Sequence, residues 1–455
     1  MSNQDERLIS NKTRELVFLG LGILSILLSY LLTPSFSELM KGFLIQQMAP
    51  GLLDTNTFMI VGEGRLGAPF LNAGLLIILV LLSYRLTNTE LNGNTIAAMF
   101  MVFGFGFCGK TLWSGWPLFF GVLLYALRNH KPIQSMIGLA WFSTALSPIV
   151  SVLTLYTQFD GMSAMSEVGS FSLFGFVLAI IVGLCAGYLT AVMANVLPGK
   201  HEGLTLFNAG LAAGLAGFFV FSIMKSIGIA HSAPGHEYPN LNNRLLFGCL
   251  CIYFLYLLIM GFLINQKEKR DIKAILLEKH QGDAIKAYGF GATLINMAAC
   301  GCICLVYFLC TRTGNMHGPI YSSIITIVGF SSNGISPKTM IPTMVGVYLT
   351  SFLLGGMHGA LLGKSFIQSG FNYVGSKNMM NAAVYSCGMA PVVIKHGTFI
   401  GLLAGVIHSI IVPNTGALHG WLNLYNNGFS VGLVVTFFVP AILAIKNQIN
   451  QKEEK

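Results

Sequence analysis

The sequence predicts an all-α polytopic membrane protein built from an inverted internal repeat with re-entrant or broken helices. Three observations predict this fold: the composition, the recurrence of apolar segments, and the similarity between the two halves of the chain. Of the 455 residues, 54% are hydrophobic and only 9% are charged, whereas soluble domains carry about a quarter charged residues. So few charges cannot cover a water-exposed surface, and we expect lipid to be the main solvent.

Apolar segments recur along the whole chain, and many reach the length of about 20 residues that a helix needs to cross a bilayer. The first is too long and uninterrupted for a cleaved signal peptide and has no small-residue cleavage site after it, so we expect a retained helix. In total the sequence holds about 10–12 such segments: 16–32, 69–84, 135–155, 171–197, 204–224, 245–264, 288–310, 320–354, 378–394, 398–412 and 422–445.

The second half of the chain repeats the pattern of the first. GLTLFNAGLAAGL at 203–215 resembles WLNLYNNGFSVGL at 421–433, and SMIGLAWFSTALSPIV at 135–150 resembles NMMNAAVYSCGMAPVV at 378–393. GFGFCGKTLWSGWPLFFGV, which starts at Gly104, aligns with GFSSNGISPKTMIPTMVGV, which starts at Gly329. Because three blocks occur in the same order in both halves, a duplication is the natural interpretation.

The duplication divides the chain into five parts. Repeat 1 covers 66–228 and repeat 2 covers 288–446. The remaining parts are an N-terminal cytoplasmic segment with the first helix and an outer loop at 1–65, a linker helix with a charged cytoplasmic loop at 229–287, and a cytoplasmic tail at 447–455.

The distribution of charge predicts that the two repeats have opposite orientations. Basic residues concentrate at the N-terminus, with Arg7, Lys12 and Arg14, and in the loop 265–286, and cytoplasmic loops are rich in Lys and Arg. If both segments are cytoplasmic, repeat 1 crosses the membrane an even number of times, provided that the Gly104 region enters and returns on the same side. This inverted repeat is a common plan of secondary transporters. It predicts a multi-pass protein of the inner (plasma) membrane with both termini in the cytoplasm.

The stretch GFGFCGKT at 104–111 matches the phosphate-binding pattern G-x-x-x-x-G-K-T. That loop needs a preceding strand and a soluble nucleotide-binding domain, whereas apolar residues flank this stretch on both sides. We therefore interpret it and its counterpart in repeat 2 as the tips of re-entrant or broken helices near the middle of the membrane, where glycine permits a tight turn and close approach to a ligand. The alternative is helix packing through small residues.

The candidate substrate-binding residues belong to the two tips and to four asparagines at matched places in apolar helices. Two lysines in or beside the tips, without an acidic residue inside any predicted membrane segment, indicate an anionic ligand; the alternative is that they reach the interface or lie outside the membrane. Each asparagine binds a ligand or hydrogen-bonds a neighbouring helix. The full set is Gly104, Gly109, Lys110, Thr111, Ser114, Ser331, Ser332, Asn333, Gly334, Ser336, Lys338, Asn72, Asn208, Asn296 and Asn426.

Other chemistry-bearing residues point to structural roles. His201 and His419 precede Asn208 and Asn426, and we expect exposed loop histidines there rather than proton-responsive gates. Cys300, Cys302 and Cys304 alternate within an apolar run and point to different helix faces, so we expect no metal site. We predict no catalytic residue and no cofactor. The formal charge of +9 is spread over short loops, which is typical of loop anchoring and not of nucleic-acid binding.

The FNAGL and YNNGF blocks, the glycine-rich turns and the duplication resemble an uncharacterised family of prokaryotic multi-pass membrane proteins. That family is defined only as a domain of unknown function, so the resemblance implies no activity. The Gly-Leu-x-x-Phe-Asn segment at 203–208 also resembles segments of the urea transporters, and 421–426 fits except at its first residue. The Leu-Pro-x-x-Thr-x-Pro-Phe signature of their pore does not occur in the chain. This weaker resemblance implies a duplicated solute-conducting fold.

The leading expectation from these observations is an integral membrane secondary transporter of a small polar or anionic solute, with a central site between the repeats. Its expected partners are the lipid bilayer, the solute, and Na⁺ or H⁺ as the coupling ion; a homo-oligomer is compatible with this arrangement. The alternative is a passive channel for a small neutral solute, as in the urea transporters. A membrane-embedded enzyme ranks below both, because no nucleophiles, metal ligands or carboxylates converge within the membrane segments.

Overall fold

The computed structural model describes residues 9–53, 55–156, 170–228, 243–277, 280–311, 314 and 316–453. In these ranges the chain forms helices joined by turns and contains no β-strand. Ten helices of the described part of the chain are long and apolar enough to cross a membrane. The prediction of an all-α polytopic membrane protein is therefore confirmed. Arg7 of the predicted N-terminal segment and residues 229–242 of the predicted linker lie outside the described residues.

The first half of the chain contains both long helices and short ones that end within the bundle. In chain order they are α1 (Asn11–Leu31), α2 (Phe36–Gln47), α3 (Thr57–Ile60), α4 (Ala68–Leu86), α5 (Gly93–Phe105), α6 (Trp116–Arg128), α7 (Ile133–Ser143), α8 (Ser147–Tyr156), α9 (Leu173–Val196), α10 (Pro198–His201) and α11 (Asn208–Ser226).

The second half follows with a similar order of long and interrupted helices. They are α12 (Asn243–Glu268), α13 (Ile272–Leu277), α14 (Ala284–Tyr288), α15 (Phe290–Cys310), α16 (Gly318–Phe330), α17 (Pro337–Leu361), α18 (Phe366–Val374), α19 (Lys377–Ser386), α20 (Ala390–His396), α21 (Thr398–Leu418), α22 (Asn426–Leu433) and α23 (Val439–Glu453), the last two joined by a π-helical turn, Val434–Phe438.

One membrane-length helix in each half is broken at the same place by a proline. A 3₁₀ turn, Thr144–Leu146, separates α7 from α8, and the turn Cys387–Met389 separates α19 from α20. Pro148 and Pro391 follow four residues after the first residue of each turn. A proline has no N–H and its ring clashes with the carbonyl four residues earlier, so the regular helical hydrogen bond cannot form there.

Lys- and Arg-rich loops gather at one end of the bundle, which we call the basic face. Hydrogen bonds connect these loops: Gly93 N donates to Asp283 Oδ1 at 3.1 Å and Gln281 Nε2 donates to the Gly203 carbonyl at 3.0 Å. The Arg14 guanidinium at the start of α1 bonds the Glu90 carboxylate at 3.0 Å. The other end of the bundle, the opposite face, carries α2, α3 and the end of α21.

The half-helices α5 and α16 pack antiparallel along their whole length. A Cβ on Gly93, at the start of α5, would contact the carbonyl of Ser332, and a Cβ on Gly318, at the start of α16, would contact the carbonyl of Phe107. Each half-helix has 13 residues, which corresponds to about 20 Å. The turns that follow them therefore lie near opposite faces of the bundle. The two tips therefore do not meet, because each half-helix reaches the level at which the other begins; that each tip lies near the middle of the membrane stays a prediction.

Candidate functional site

Asn72 and Asn296 hold the two turns in place. The Asn72 amide donates to the carbonyls of Gly106 and Lys110, at 3.0 and 2.8 Å. The Asn296 amide donates to the carbonyls of Ser331 and Ile335, at 2.9 and 2.8 Å. Both asparagines are buried, and both of their N–H donors are used. Their contacts assign them a structural role at the ends of α5 and α16.

Polar side chains in the turns are likewise engaged in the protein's own hydrogen bonds. Thr111 and Ser114 bond each other at 2.6 Å between their hydroxyl groups. Ser336 N donates to the Thr339 hydroxyl at 2.9 Å in the corresponding turn. Ser331 and Ser332 donate to backbone carbonyls of α16 and of Gly93. Asn333 is half-buried in this turn. Ser336 caps the start of α17, and the other hydroxyl groups are satisfied within or beside the turns.

Gly109 and Gly334 lie at matched positions in the two turns and have left-handed backbones, with φ of 102° and 112°. This conformation favours glycine, because a Cβ would clash with the neighbouring backbone. Gly109 also packs against Gly51, and Gly334 packs against Gly282. Gly104, at the crossing of α5 with α16, faces the carbonyl of Ser322. The predicted glycines thus shape turns and helix contacts.

The two lysines have different environments. Lys110 is 1% exposed, and its ammonium donates to the Thr144 carbonyl at 3.1 Å. Pro148, four residues later, has no N–H to donate to that carbonyl, which accepts the 3₁₀ hydrogen bond of Ser147 N as well. Within the described residues Lys110 forms no ion pair. Lys338 is exposed at the start of α17, and the structure does not bring the two lysines together.

Asn208 and Asn426 form equivalent pairs with histidines. His201 Nε2 lies 3.0 Å from Asn208 Oδ1, and His419 Nε2 lies 2.9 Å from Asn426 Oδ1. His201 and His419 are 3% and 0% exposed. The expectation of exposed loop histidines is wrong, because each ring turns inward to bond the first residue of the next helix.

The extended segments before α11 and α22 connect the two halves. Leu206 N donates to the Gly388 carbonyl, and Leu424 N donates to the Ala145 carbonyl, each at 3.0 Å. Each segment thus bonds the broken helix of the other half. A Cβ on Gly210 would lie only 2.8 Å from the Cα of Gly428. The proline-induced breaks supply the free carbonyls for this exchange.

Six aromatic side chains fill the region where the halves meet, and we call them the central aromatic cluster. Phe207 lies at the middle, with ring centroids 4.7 Å from Phe330 and 5.3 Å from Tyr425. In the aligned blocks the six rings occupy three matched pairs of positions, a signal that sequence reasoning missed. The members are Phe105 with Phe330, Phe142 with Tyr385, and Phe207 with Tyr425.

A cavity of about 80 Å³ lies between the central aromatic cluster and the opposite face. This volume has room for several water molecules or one small solute. Asn426 is the one residue of the predicted binding set that lines it. The lining consists of Leu53, Phe105, Cys108, Pro319, Ser322, Asn378, Asn381, Tyr385, Val412, Pro413, Gly416, Trp421, Leu424, Asn426 and Asn427.

Among the described residues, the lining of the cavity combines four amide side chains with no charged residue. Asn381 and Asn427 are 7% and 9% exposed, and their Oδ1 atoms are buried away from the open space of the cavity. His408 of α21 lies beside Asn427 and donates to or accepts from Ser430 through Nδ1 at 3.2 Å. The described part of the lining is therefore polar and uncharged.

Sequence reasoning missed Asn378, Asn381 and Asn427 because, outside the two tips, it selected only asparagines that recur in both halves. Their counterparts in the aligned blocks are Ser135, Gly138 and Ala209. Since none of these is an asparagine, comparison of the two halves does not single out the three positions. Among the described residues, no group of three or more His, Cys, Asp or Glu side chains is arranged to hold a metal ion.

A protein-family model described as "Protein of unknown function (DUF1576)" matches residues 35–226 and 264–444. The two matched segments cover most of the chain and correspond to its two halves. Comparison with curated proteins and with solved structures gives no match. The resemblance to an uncharacterised family is therefore confirmed, and the resemblance to the urea transporters gains no support.

Proposed function

The chain belongs to the DUF1576 family, whose function is unknown, and we propose from its site that it is a secondary transporter of a small polar solute. The observation that carries this proposal is the amide-lined cavity, which runs from the opposite face to the central aromatic cluster. A site at the contact between two similar halves is the usual location of substrate in transporters built from repeats.

The proposal includes an inverted repeat. Contacts that recur in both halves support it, namely the asparagine–turn bonds, the histidine–asparagine pairs and the exchanged backbone bonds. The antiparallel packing of α5 against α16 supports an opposite orientation of the two copies. We further propose that α5 with α6 is a re-entrant hairpin, and that the basic face is cytoplasmic, with both chain termini on that side.

Transport by such a fold requires access from each face in turn. The cavity is on the opposite face, beside Asn426. The corresponding Asn208, nearer the basic face, bonds the Ala194 carbonyl at 2.9 Å as well as His201. In our proposal this is a state open toward the outside, and rearrangement of the central aromatic cluster and of the exchanged backbone bonds opens the other side.

Transport fits the lining better than catalysis does, since the described lining residues present amides, hydroxyls, a thiol and apolar groups without a nucleophile–base pair. A passive channel for a neutral solute is the second candidate, and the uncharged lining favours it. Saturable uptake that accumulates solute when a Na⁺ or H⁺ gradient is imposed distinguishes a coupled transporter from a channel, which only equilibrates solute.

The proposal is tested by uptake into proteoliposomes of neutral amides, glycerol and small anions, with and without Na⁺ and H⁺ gradients. We expect a solute to enter faster than into protein-free vesicles, and Asn381→Ala to slow its entry about tenfold by removing a hydrogen bond to it. Asn129→Ala, at an exposed turn next to the basic face, is the matched control. If no solute enters faster than into empty vesicles, the proposed function is wrong.

A further inference from the structure

We infer that the hairpin of α17 and α18 binds the phosphate group of an anionic membrane phospholipid, in a groove that carries His358 and Lys364. We call this site the hairpin groove. The inference goes beyond the proposed function and does not rest on it, because lipid binding is measured without transport.

The hairpin is an addition to the second half of the chain. Gly121 and Ser135 of repeat 1 align with Gly346 and Asn378 of repeat 2. The first two lie 14 positions apart and the second two lie 32 apart. The extra residues form the end of α17 and all of α18. The arrangement of helices that the two halves share does not require this hairpin, so a separate role is open to it.

Small residues hold the two helices of the hairpin close together. A Cβ on Gly355 would clash with the Cβ of Tyr373, and a Cβ on Gly359 would clash with the hydroxyl group of Ser369. Helices that approach so closely leave little freedom to the side chains between them. The walls of the hairpin groove are therefore set by packing before a ligand binds.

The hairpin groove has a volume of about 300 Å³, about ten times the volume of a water molecule in the liquid. A phosphate group with the glycerol unit next to it fits in this space. Ser369, Asn372 and Tyr373 contribute hydroxyl and amide groups to the described lining. His358 and Lys364 also line it and are exposed, so both are accessible to a ligand.

The chain around the groove carries positive charge. No Asp or Glu occurs in the sequence between Asp283 and Glu453, and Lys377 directly follows the lining residue Ser376. An ammonium group with nearby hydroxyl and amide donors is a typical phosphate-binding set. The oxygens of a phosphate group accept hydrogen bonds from all of these donors.

The length of α17 places the groove at the level of lipid headgroups. The helix begins after the turn that packs on Gly282 at the basic face, and its 25 residues extend about 38 Å. This length exceeds the hydrocarbon core of a bilayer, about 30 Å, and reaches into the headgroup region. Lys364, just after the end of α17, therefore lies among the headgroups of the leaflet at the opposite face.

Exposed apolar side chains beside the groove indicate that the phosphate belongs to a lipid. Leu361, Leu362 and Ile367 are 85%, 58% and 62% exposed, and Leu362 also lines the groove. A ligand with a phosphate group next to acyl chains satisfies both the cationic and the apolar surface. The proposed topology places the hairpin outside, so the cytoplasmic bias of Lys and Arg does not account for these lysines.

The test counts bound lipids by mass spectrometry of the intact, detergent-purified protein. The protein is mixed with equal amounts of anionic phosphatidylglycerol and zwitterionic phosphatidylcholine, whose chains differ in mass. We expect the first bound lipid to be phosphatidylglycerol about ten times as often as phosphatidylcholine. This preference should fall as the ammonium acetate concentration rises, because salt screens the attraction between exposed charges.

Variants locate the preference in the hairpin groove. Lys364→Gln is expected to lower it about tenfold, the effect of losing one charge-assisted hydrogen bond, and His358→Gln is expected to lower it as well. Lys225→Gln is the matched control, since Lys225 is an exposed lysine in the last turn of α11, outside the groove. Lys364→Arg keeps the charge and should keep the preference, which separates loss of charge from a folding defect.

Inorganic phosphate distinguishes a lipid from a free anion. We expect phosphate not to displace phosphatidylglycerol, because acyl chains contribute to binding. Displacement by phosphate would identify a site for a soluble anion and overturn the assignment to a lipid. Equal retention of the two lipids, or a preference that neither groove variant alters, would also overturn the inference. Uptake by proteoliposomes is a separate measurement, so the inference and the proposed function fail separately.

Discussion

At the scale of single residues, both halves of the chain satisfy the backbone carbonyls at the end of a half-helix in the same way. Each half-helix ends inside the bundle and leaves backbone carbonyls without helical partners. A buried asparagine from the preceding long helix supplies two N–H donors to these carbonyls in each half. The matched asparagines found in the sequence were therefore a true signal of symmetry, but their contacts are structural for Asn72 and Asn296.

Gly109→Ala is expected to destabilise the protein. At φ of 102° an alanine is strained by about 1–3 kcal/mol, and the new Cβ would also press on Gly51. The measurement is the thermal unfolding midpoint in detergent. Gly248→Ala is the control, since nothing lies within 4 Å of a Cβ there and alanine is the better helix former. Equal midpoints for the two variants would contradict the strain argument.

Lys110→Met is expected to raise the thermal unfolding midpoint. A buried ammonium without an ion-pair partner is costly, and Ile335, its counterpart in the second turn, is an apolar side chain buried at 1% exposure. The exposed Lys338→Met should leave the midpoint unchanged. A lower midpoint for Lys110→Met would instead show that its bond to the Thr144 carbonyl outweighs the cost of burying the charge. Loss of uptake with a raised midpoint would assign Lys110 a functional role.

At the scale of elements, the broken helices matter most. Breaks at Thr144–Leu146 and Cys387–Met389 release carbonyls in the middle of the bundle, and backbone N–H groups of the other half occupy them. A buried backbone group needs a partner, so the breaks and the extended segments require each other. This mutual dependence joins the two halves through backbone atoms. A side-chain substitution does not change the identity of these atoms.

Pro148→Ala is expected to make the α7–α8 helix more continuous and to slow solute uptake. An N–H at position 148 competes with Lys110 for the Thr144 carbonyl, which weakens the bond measured at 3.1 Å. Hydrogen–deuterium exchange of residues 144–152 reports the change as increased protection. Pro440→Ala, on the exposed side of α23, serves as control. Unchanged exchange at the break would mean that tertiary contacts, not the proline, impose it.

At the scale of the whole molecule, two similar halves enclose the amide-lined cavity. Exact symmetry would give both faces the same lining, but Asn381 and Asn427 replace residues that are Gly138 and Ala209 in the other half. The duplication thus provides the arrangement of helices, and the positions at which the two halves differ provide polar side chains of the cavity. The asymmetry also places most Lys- and Arg-rich loops at the basic face.

Cysteine labelling tests the orientation of the halves. In a cysteine-free background, Asn129→Cys at the basic face and Lys364→Cys after α17 are both exposed. We expect a membrane-impermeant thiol reagent applied to intact cells to label position 364 and to reach position 129 only after permeabilisation, because the basic face is expected in the cytoplasm. Labelling of both positions in intact cells would contradict the inverted arrangement.

Much of the fold followed from local properties. Composition and segment length predicted membrane helices, because the bilayer imposes length and apolarity on each span separately. Placement of the tips was not predictable in this way. Whether α5 and α16 meet at their ends or overlap side by side depends on the contacts of Gly93 and Gly318 with the other half, and sequence alignment carries no information on that register.

The sequence by itself determined that the chain is a multi-pass helical membrane protein with two similar halves. These properties follow from the period and composition of each segment. Only the tertiary structure decided which polar groups bond one another and which line the cavity. Lys110, Asn72, Asn296, Asn208 and five turn serines and threonines find partners within the protein, while Asn381 and Asn427 line the cavity. The physical reason is that a polar side chain is available to a ligand only if no neighbour satisfies it, and neighbours distant along the chain are set by the packing of helices.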